Sequence, residues 1–320
     1  MTPLTTPVAF IVFKRPEKTA RVFEAIRQAR PKQLFIIADG PRNVEEKIKT
    51  DAVRAITENI DWDCEVKRLY QEKNLGVKYG PPAGISWVFT HVDRCIFLED
   101  DCLPDPTFFP YCTELLERYE SDDRVMLISG DNFQQKNKYF NCPESYYFSV
   151  SPNLWGWASW RRAWQKFEEE PMSSWPEFKN SETFKQIFPD GAVREWWSIL
   201  FERNWLKTVN TWEGPWLYVC IKVGLCINPV TNLVSNIGHD EEGAHWKQGL
   251  SPKDEKANLP RIPVTFPLIH PKMVQANQGA DAHSFKVQQN INRYFEQKVR
   301  WFFRSRFPRL YRLLKSSLHR

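Results

Sequence analysis

Cys95-Ile96-Phe97-Leu98-Glu99-Asp100-Asp101 is a short apolar run that ends in three consecutive carboxylates. The apolar part reads as a buried strand. An acidic cluster at its end needs a counter-ion. Hard divalent cations such as Mg²⁺ or Mn²⁺ prefer oxygen ligands, commonly one or two carboxylates with substrate phosphates completing the shell. Glu99, Asp100 and Asp101 therefore suggest a metal-diphosphate site. The alternative is an acidic strand-to-helix turn, in which Asp105 or one of the trio caps a helix beginning at Pro106.

The flanking sequence favours the first reading. Apolar runs at Val8 to Phe13, Leu34 to Ala38, Cys64 to Leu69 and Val125 to Ser129 predict further strands. Helical patterns cover Glu17 to Ala29, Val44 to Asn59, Ile85 to Val92 and Pro106 to Tyr119. This βαβα rhythm belongs to an α/β fold with a mostly parallel sheet and helices on both faces. Ligands of such open sheets collect at the carboxyl ends of the strands. Lys14 and Arg15 follow the first strand, Asp39 and Gly40 the second, and Glu99 to Asp101 the fourth. A structural turn needs one acid; it does not need three strand ends to converge on polar groups. No GxGxxG follows the first strand and no GxxxxGK[ST] occurs, so phosphate handling falls to a metal and to side chains.

At 320 residues, with 42% hydrophobic and 14% aromatic content, the chain can bury one large core with appendages. No apolar run approaches the roughly eighteen residues of a membrane span, and the N-terminus lacks a signal-peptide pattern, so the expected location is the cytoplasm. Seven cysteines without a CxxC pair argue against both a zinc site and a disulfide framework. Residues 297–320 carry eight Lys or Arg and no acid, so the net charge of +5 becomes −3 for the remainder. That tells against general nucleic-acid binding. In this tail Leu310, Leu313, Leu314 and Leu318 keep helical spacing, which suits either a basic amphipathic helix on an anionic membrane surface or a terminal helix packed on the domain. The expected division is a catalytic domain over 1–250, with halves 1–135 and 136–250, an irregular linker over 251–284, and a helical tail over 285–320.

The second half is rich in tryptophan, around Leu154-Trp155-Gly156-Trp157 and Trp212-Glu213-Gly214-Pro215-Trp216. Most of the fourteen tryptophans fit a core. Trp157 and Trp216 are expected in a cleft, where aromatic faces stack on the C–H faces of sugars.

In order and spacing these elements resemble the GT-A nucleotide-sugar glycosyltransferases, in particular bacterial family-2-like transferases and the N-acetylglucosaminyltransferase I group. Lys14-Arg15-Pro16 is similar to that family's first strand ending in an arginine that contacts the nucleotide. FIIADGPR (Phe35 to Arg42) resembles its second strand, and Lys73-Asn74-Leu75-Gly76 its substrate-binding loop. FLEDDCLPDPTFFPYC resembles its metal-binding Glu-Asp-Asp followed by a helix with paired aromatics. Ser129-Gly130-Asp131-Asn132 and LWGW resemble acceptor-side elements, and NLVSNIG with His245 a segment that closes over the donor. The matches span roughly residues 7–246.

The resemblance implies that Asp101 and His245 ligate Mn²⁺ or Mg²⁺ at the donor diphosphate. Asp100 and Glu99 would hold ribose and sugar, Asp39 would read the base, Arg15 would steady the nucleotide, and Asn74 would line the donor loop. Asp131, Trp157 and Trp216 would face the acceptor. Relatives carry an Asp after a Trp where this chain has Trp212-Glu213, so Glu213 is the candidate general base, and a base there implies inversion. The alternative for Glu213 is a first-turn helix acid favourable to the macrodipole. Residues 73–80 and 236–250 are candidate lids. The implied partners are a nucleoside-diphosphate sugar and a glycan or lipid-linked acceptor. Two rival readings are a nucleotidyltransferase, which should carry a glycine-rich basic loop where this chain has FKRPEK, and a non-catalytic carbohydrate-binding protein.

Overall fold

Strands whose side chains are apolar on both sides require a sheet covered on both faces. The computed structural model, which describes residues 3–135, 137–167, 172–238, 259–289 and 306–307, builds that arrangement. In its first half β1 (Val8–Val12), α1 (Pro16–Ala29), β2 (Gln33–Ala38), α2 (Val44–Glu58), β3 (Glu65–Tyr70), α3 (Gly76–His91) and β4 (Arg94–Glu99) alternate, followed by β5 (Cys102–Pro104), α4 (Phe108–Arg118) and β6 (Val125–Ser129). The second half adds β7 (Tyr146–Ser149), β8 (Trp157–Trp160), α5 (Arg161–Trp164), α6 (Trp175–Phe178), α7 (Glu182–Ile187), α8 (Gly191–Trp205), α9 (Glu213–Val223), β9 (Leu225–Pro229), β10 (Val234–Asn236) and α10 (Gln278–Gln289).

The large sheet has the order β3-β2-β1-β4-β8-β6-β9-β7, and β10 pairs with β5 in a separate ribbon. Six strands of the large sheet run one way, while β8 and β7 run against them. Val8, Phe10 and Val12 face one core with Val22 and Ile26 of α1, Val53 of α2 and Leu115 of α4. Ala9, Phe35 and Phe97 face the other, with Ile85 and Val88 of α3 and Trp216 and Val219 of α9. The α/β class expected from the sequence is therefore the observed one, and the five anticipated strands sit within a residue of their expected ends.

Three expectations change. The helix read from Ile85 begins nine residues earlier, at Gly76, because Gly76 takes a positive φ of 74° and the chain turns there into α3. Pro81 and Pro82 lie inside α3 and masked it, since a helix interior is where proline is least expected. Residues 76–80 are thus helix rather than lid. The halves 1–135 and 136–250 also share one sheet, because β8 inserts between β4 and β6 and β9 pairs with β6.

The linker expected over 251–284 is likewise strapped to the domain in its described part. Val264 and Leu268 are buried, and the Ile262 N–H donates to Asn232 O at 2.8 Å. Its last residues are helical, because the Asn277 side chain accepts the Ala280 N–H at 3.0 Å and caps α10. Among the described residues no helix is long and apolar enough to cross a membrane. The amphipathic tail beyond Gln289 lies outside the described residues apart from Arg306 and Phe307. All seven cysteines are free.

Asp281 of α10 docks that helix on β7, accepting from Ser149 Oγ and from the Val150 N–H at 3.3 Å. Burial pushes its carboxyl up to about 6, against those two hydrogen bonds. A folded value above the unfolded one means that this group's contribution to stability is full below about pH 4 and is lost as pH rises through 6. Asp281→Asn should therefore raise Tm by about 4 °C at pH 8 and leave it nearly unchanged at pH 4. Equal shifts at both pH values in thermal melts would show that Asp281 titrates like an exposed acid.

Candidate active site

The register Ile11↔Glu99 sets the end of β1 beside the end of β4. From there β1 continues through Phe13 and Lys14 to Arg15, the residue that caps α1, with Pro16 as the first helical residue. Arg15 has its carbonyl fixed by Thr19, whose N–H and Oγ1 donate to it at 2.9 and 2.8 Å. Its side chain turns to the acidic run. One nitrogen, Nη1, donates to Asp100 Oδ1 at 2.9 Å and to Asp101 Oδ2 at 2.7 Å. The Phe13 N–H donates to the other Asp100 oxygen at 3.3 Å. Lys14 does not join this cluster, because its Nζ pairs with Glu46 at 2.6 Å.

Asp101 is held from a second direction. Its carbonyl accepts the Ile237 N–H at 2.8 Å, just beyond the β5–β10 ribbon in which Asn236 pairs with Cys102. A Cβ on Gly238 would stand 2.1 Å from Asp101 Oδ2, so only glycine lets the backbone pass this close to the carboxylate. The Asn236 side chain accepts the Gly238 N–H at 2.8 Å and fixes the approach. NLVSNIG thus reaches the acidic cluster through backbone, a contact invisible in side-chain pattern. His239 and His245, which follow it, lie outside the described residues.

The charges do not balance. Burial raises the Asp100 carboxyl to about 6, with Asp101 adding to the rise and Arg15 opposing it. Burial also raises Glu99 well above the usual carboxylate range, reinforced by Asp101, Glu213 and Asp100. Burial lowers the Arg15 guanidinium, but the two aspartates more than offset this and leave it above its ordinary value. Glu213, 114 positions from Glu99 in the chain, is close enough for their charges to interact. It opens α9, where its N–H donates to Thr211 Oγ1 at 3.2 Å.

Asp39 stands at the end of β2 and accepts four N–H groups. Gly40 N and Leu75 N donate to Oδ1, both at 2.8 Å, while Asn74 Nδ2 and Gly76 N donate to Oδ2 at 2.9 and 3.0 Å. Asn74 also donates to Gly40 O at 2.9 Å. Both residues therefore pin the 73–76 loop against β2, beside the acidic cluster but with their polar atoms turned to each other.

On the other side, Phe97 and Ser129 both pair with Trp157 of β8, so the ends of β4 and β6 lie on either side of the start of that strand. Asp131 is 1% exposed, its Oδ1 has no hydrogen-bond partner, and burial holds its carboxyl well above the usual range. Trp157 and Trp216 do not line a cleft. They are 1% and 0% exposed, and Trp157 stacks on Phe97 with ring centres 4.4 Å apart. Trp216 packs on Trp164 at 4.9 Å. Trp157 belongs to an inner strand whose face is roofed by α9, and this placement closes the cleft expected there.

No protein-family model matches the sequence, and no curated protein matches it. Among solved structures the chain is similar to S. aureus TarS, with a TM-score of 0.32 and 11% identity over 49% of this chain and 47% of that one. It is also similar to a UDP-glucose pyrophosphorylase complexed with UDP-glucose, with a TM-score of 0.26 and 12% identity over 47% of this chain and 64% of that one. The chain spans less than two thirds of the length of either. At such overlap these likenesses bear on neither substrate nor mechanism, which rest on the site residues alone.

Proposed function

We propose that this protein transfers a sugar from a nucleoside-diphosphate sugar to an acceptor hydroxyl, with Mn²⁺ or Mg²⁺ at the diphosphate. The observation that carries the reading is the convergence of Arg15, Glu99, Asp100 and Asp101 at the carboxyl ends of β1 and β4, with Glu213 of α9 near enough to Glu99 for their charges to interact. Among the described residues no three Asp, Glu, His or Cys side chains converge as a ready cation cage. The described oxygen donors are nonetheless in surplus over the Arg15 guanidinium, and such a set fits a hard cation whose shell is completed by diphosphate oxygens and water. When bound, that ion neutralises charge on the departing diphosphate. Asp101, with Asp100 beside it, is the residue to hold it.

In this reading Arg15 turns its guanidinium to the diphosphate, and Glu99 and Asp100 take sugar and ribose hydroxyls. Asp39 and Asn74 shape the base side of the pocket through the 73–76 loop. Glu213 accepts the proton of the acceptor hydroxyl as its oxygen bonds to the anomeric carbon and the bond to the diphosphate breaks, giving inversion. Asp131, whose Oδ1 is buried, is not assigned a contact with the acceptor. The acceptor is a glycan or a lipid-linked precursor, and the basic tail is the part of the chain suited to an anionic membrane surface.

Thermal melts against UDP-, GDP-, dTDP- and CMP-sugars with and without Mn²⁺ test the donor. One nucleotide class should stabilise the protein only with the ion; no response to any donor would leave a non-catalytic carbohydrate-binding protein as the better reading. Glu213→Gln should lower kcat by about 10²–10⁴ with little change in donor affinity, and it should remove the acidic limb of the pH–rate profile. A variant with unchanged kcat would return Glu213 to the role of a first-turn helix acid.

A further inference from the structure

The single nitrogen that bridges two carboxylates occupies the place a cation between them would need. Arg15 Nη1 lies 2.9 Å from Asp100 Oδ1 and 2.7 Å from Asp101 Oδ2, at distances of close, charge-assisted bonds. The aspartate side chains are 7% and 10% exposed and that of Arg15 is 22% exposed, so the guanidinium is the member nearest solvent. The other sides are closed by the Phe13 N–H on Asp100 and the backbone at Gly238 on Asp101. Two adjacent buried carboxylates do not stay ionised without a partner. Among the described residues, Arg15 is that partner.

We propose that Arg15 is an internal counter-ion that competes with the divalent cation for Asp100 and Asp101, so that the cation is captured together with the donor diphosphate and poorly without it. This rests on the functional reading above for the identity of the ligand. A hard cation sits about 2.0–2.2 Å from carboxylate oxygens, and a guanidinium nitrogen at hydrogen-bond distance from the same two oxygens leaves it no room. The two positive charges also repel. Arg15 must swing away, and the bonds from Thr19 hold only its backbone. An incoming diphosphate supplies the alternative partner, because the guanidinium fork matches phosphate oxygens in a bidentate manner. Diphosphate draws Arg15 off, the aspartates are released to the cation, and by linkage each ligand tightens the other by the same factor. The arrangement keeps part of the cluster's negative charge compensated between turnovers.

The test is a titration of the full chain with Mn²⁺ alone, reading free ion by its paramagnetic resonance signal, for wild type, Arg15→Gln and Arg15→Met. Arg15→Met keeps the apolar stem but removes the guanidinium and its charge, so it should bind Mn²⁺ at least tenfold more tightly than wild type. Arg15→Gln, which keeps one neutral donor, should fall between them. In EDTA the Arg15→Met protein should melt below wild type, and Mn²⁺ alone should restore its Tm while leaving that of wild type unmoved. Equal Mn²⁺ affinity in all three proteins overturns the proposal, as does Mn²⁺ binding to wild type that is already tight and gains nothing in either variant. A wild type that answers to no nucleotide defeats the donor reading, yet the ordering of the three Mn²⁺ affinities still decides the competition.

Discussion

Asp101→Ala should reduce sugar transfer by about 10³-fold or more and abolish the Mn²⁺-dependent stabilisation by the donor, while the protein stays folded. The size follows from the role: a charge held against the departing diphosphate acts where negative charge develops, and loss of such a preorganised contact costs several kcal/mol in the transition state. The fold should survive because Arg15 keeps Asp100 as a partner, and the bonds to Ile237 and Cys102 that fix this turn are made by backbone. Transfer assays and circular dichroism on the same preparation check both halves. Retained transfer would remove the metal-diphosphate reading. Asp101→Asn separates charge from shape: it keeps the volume against Gly238 and should lose nearly as much activity as the alanine variant.

Trp157→Ala should have the largest effect on stability, a loss of about 3–5 kcal/mol. The ring is 1% exposed and packs on Phe97, Trp164, Trp212 and Trp216, so its removal opens a cavity in the middle of one core. Chemical denaturation measures the loss. A normal midpoint combined with a weakened acceptor KM would instead put Trp157 in contact with the acceptor. Trp216→Ala should behave similarly, for the same reason.

The alternation of strand and helix was legible along the first half because each parallel strand is a closed apolar run, and the polar residues at its end are local in sequence. Arg15, Asp39 and Glu99 to Asp101 could be nominated from that placement alone. The second half was opaque for two reasons. Aromatic residues serve cores and sugar-binding clefts equally well, and nothing in Leu154 to Trp157 shows that β8 inserts between β4 and β6. The prolines inside α3 hid its first half, and the Asn277 cap set the start of α10 within a stretch otherwise rich in loop signals.

The sequence by itself determined the α/β class, the carboxyl ends on which polar groups gather, and the identity of the acidic trio, since periodicity and strand-end chemistry depend only on near neighbours in the chain. Only the tertiary structure decided the partners. It turned Arg15 onto Asp100 and Asp101, brought Glu213 to Glu99, laid Gly238 against Asp101, and buried Trp157 and Trp216. Each of those outcomes depends on strand order and on close approach of segments far apart in sequence. Such contacts are set by how whole faces pack, which no local pattern encodes.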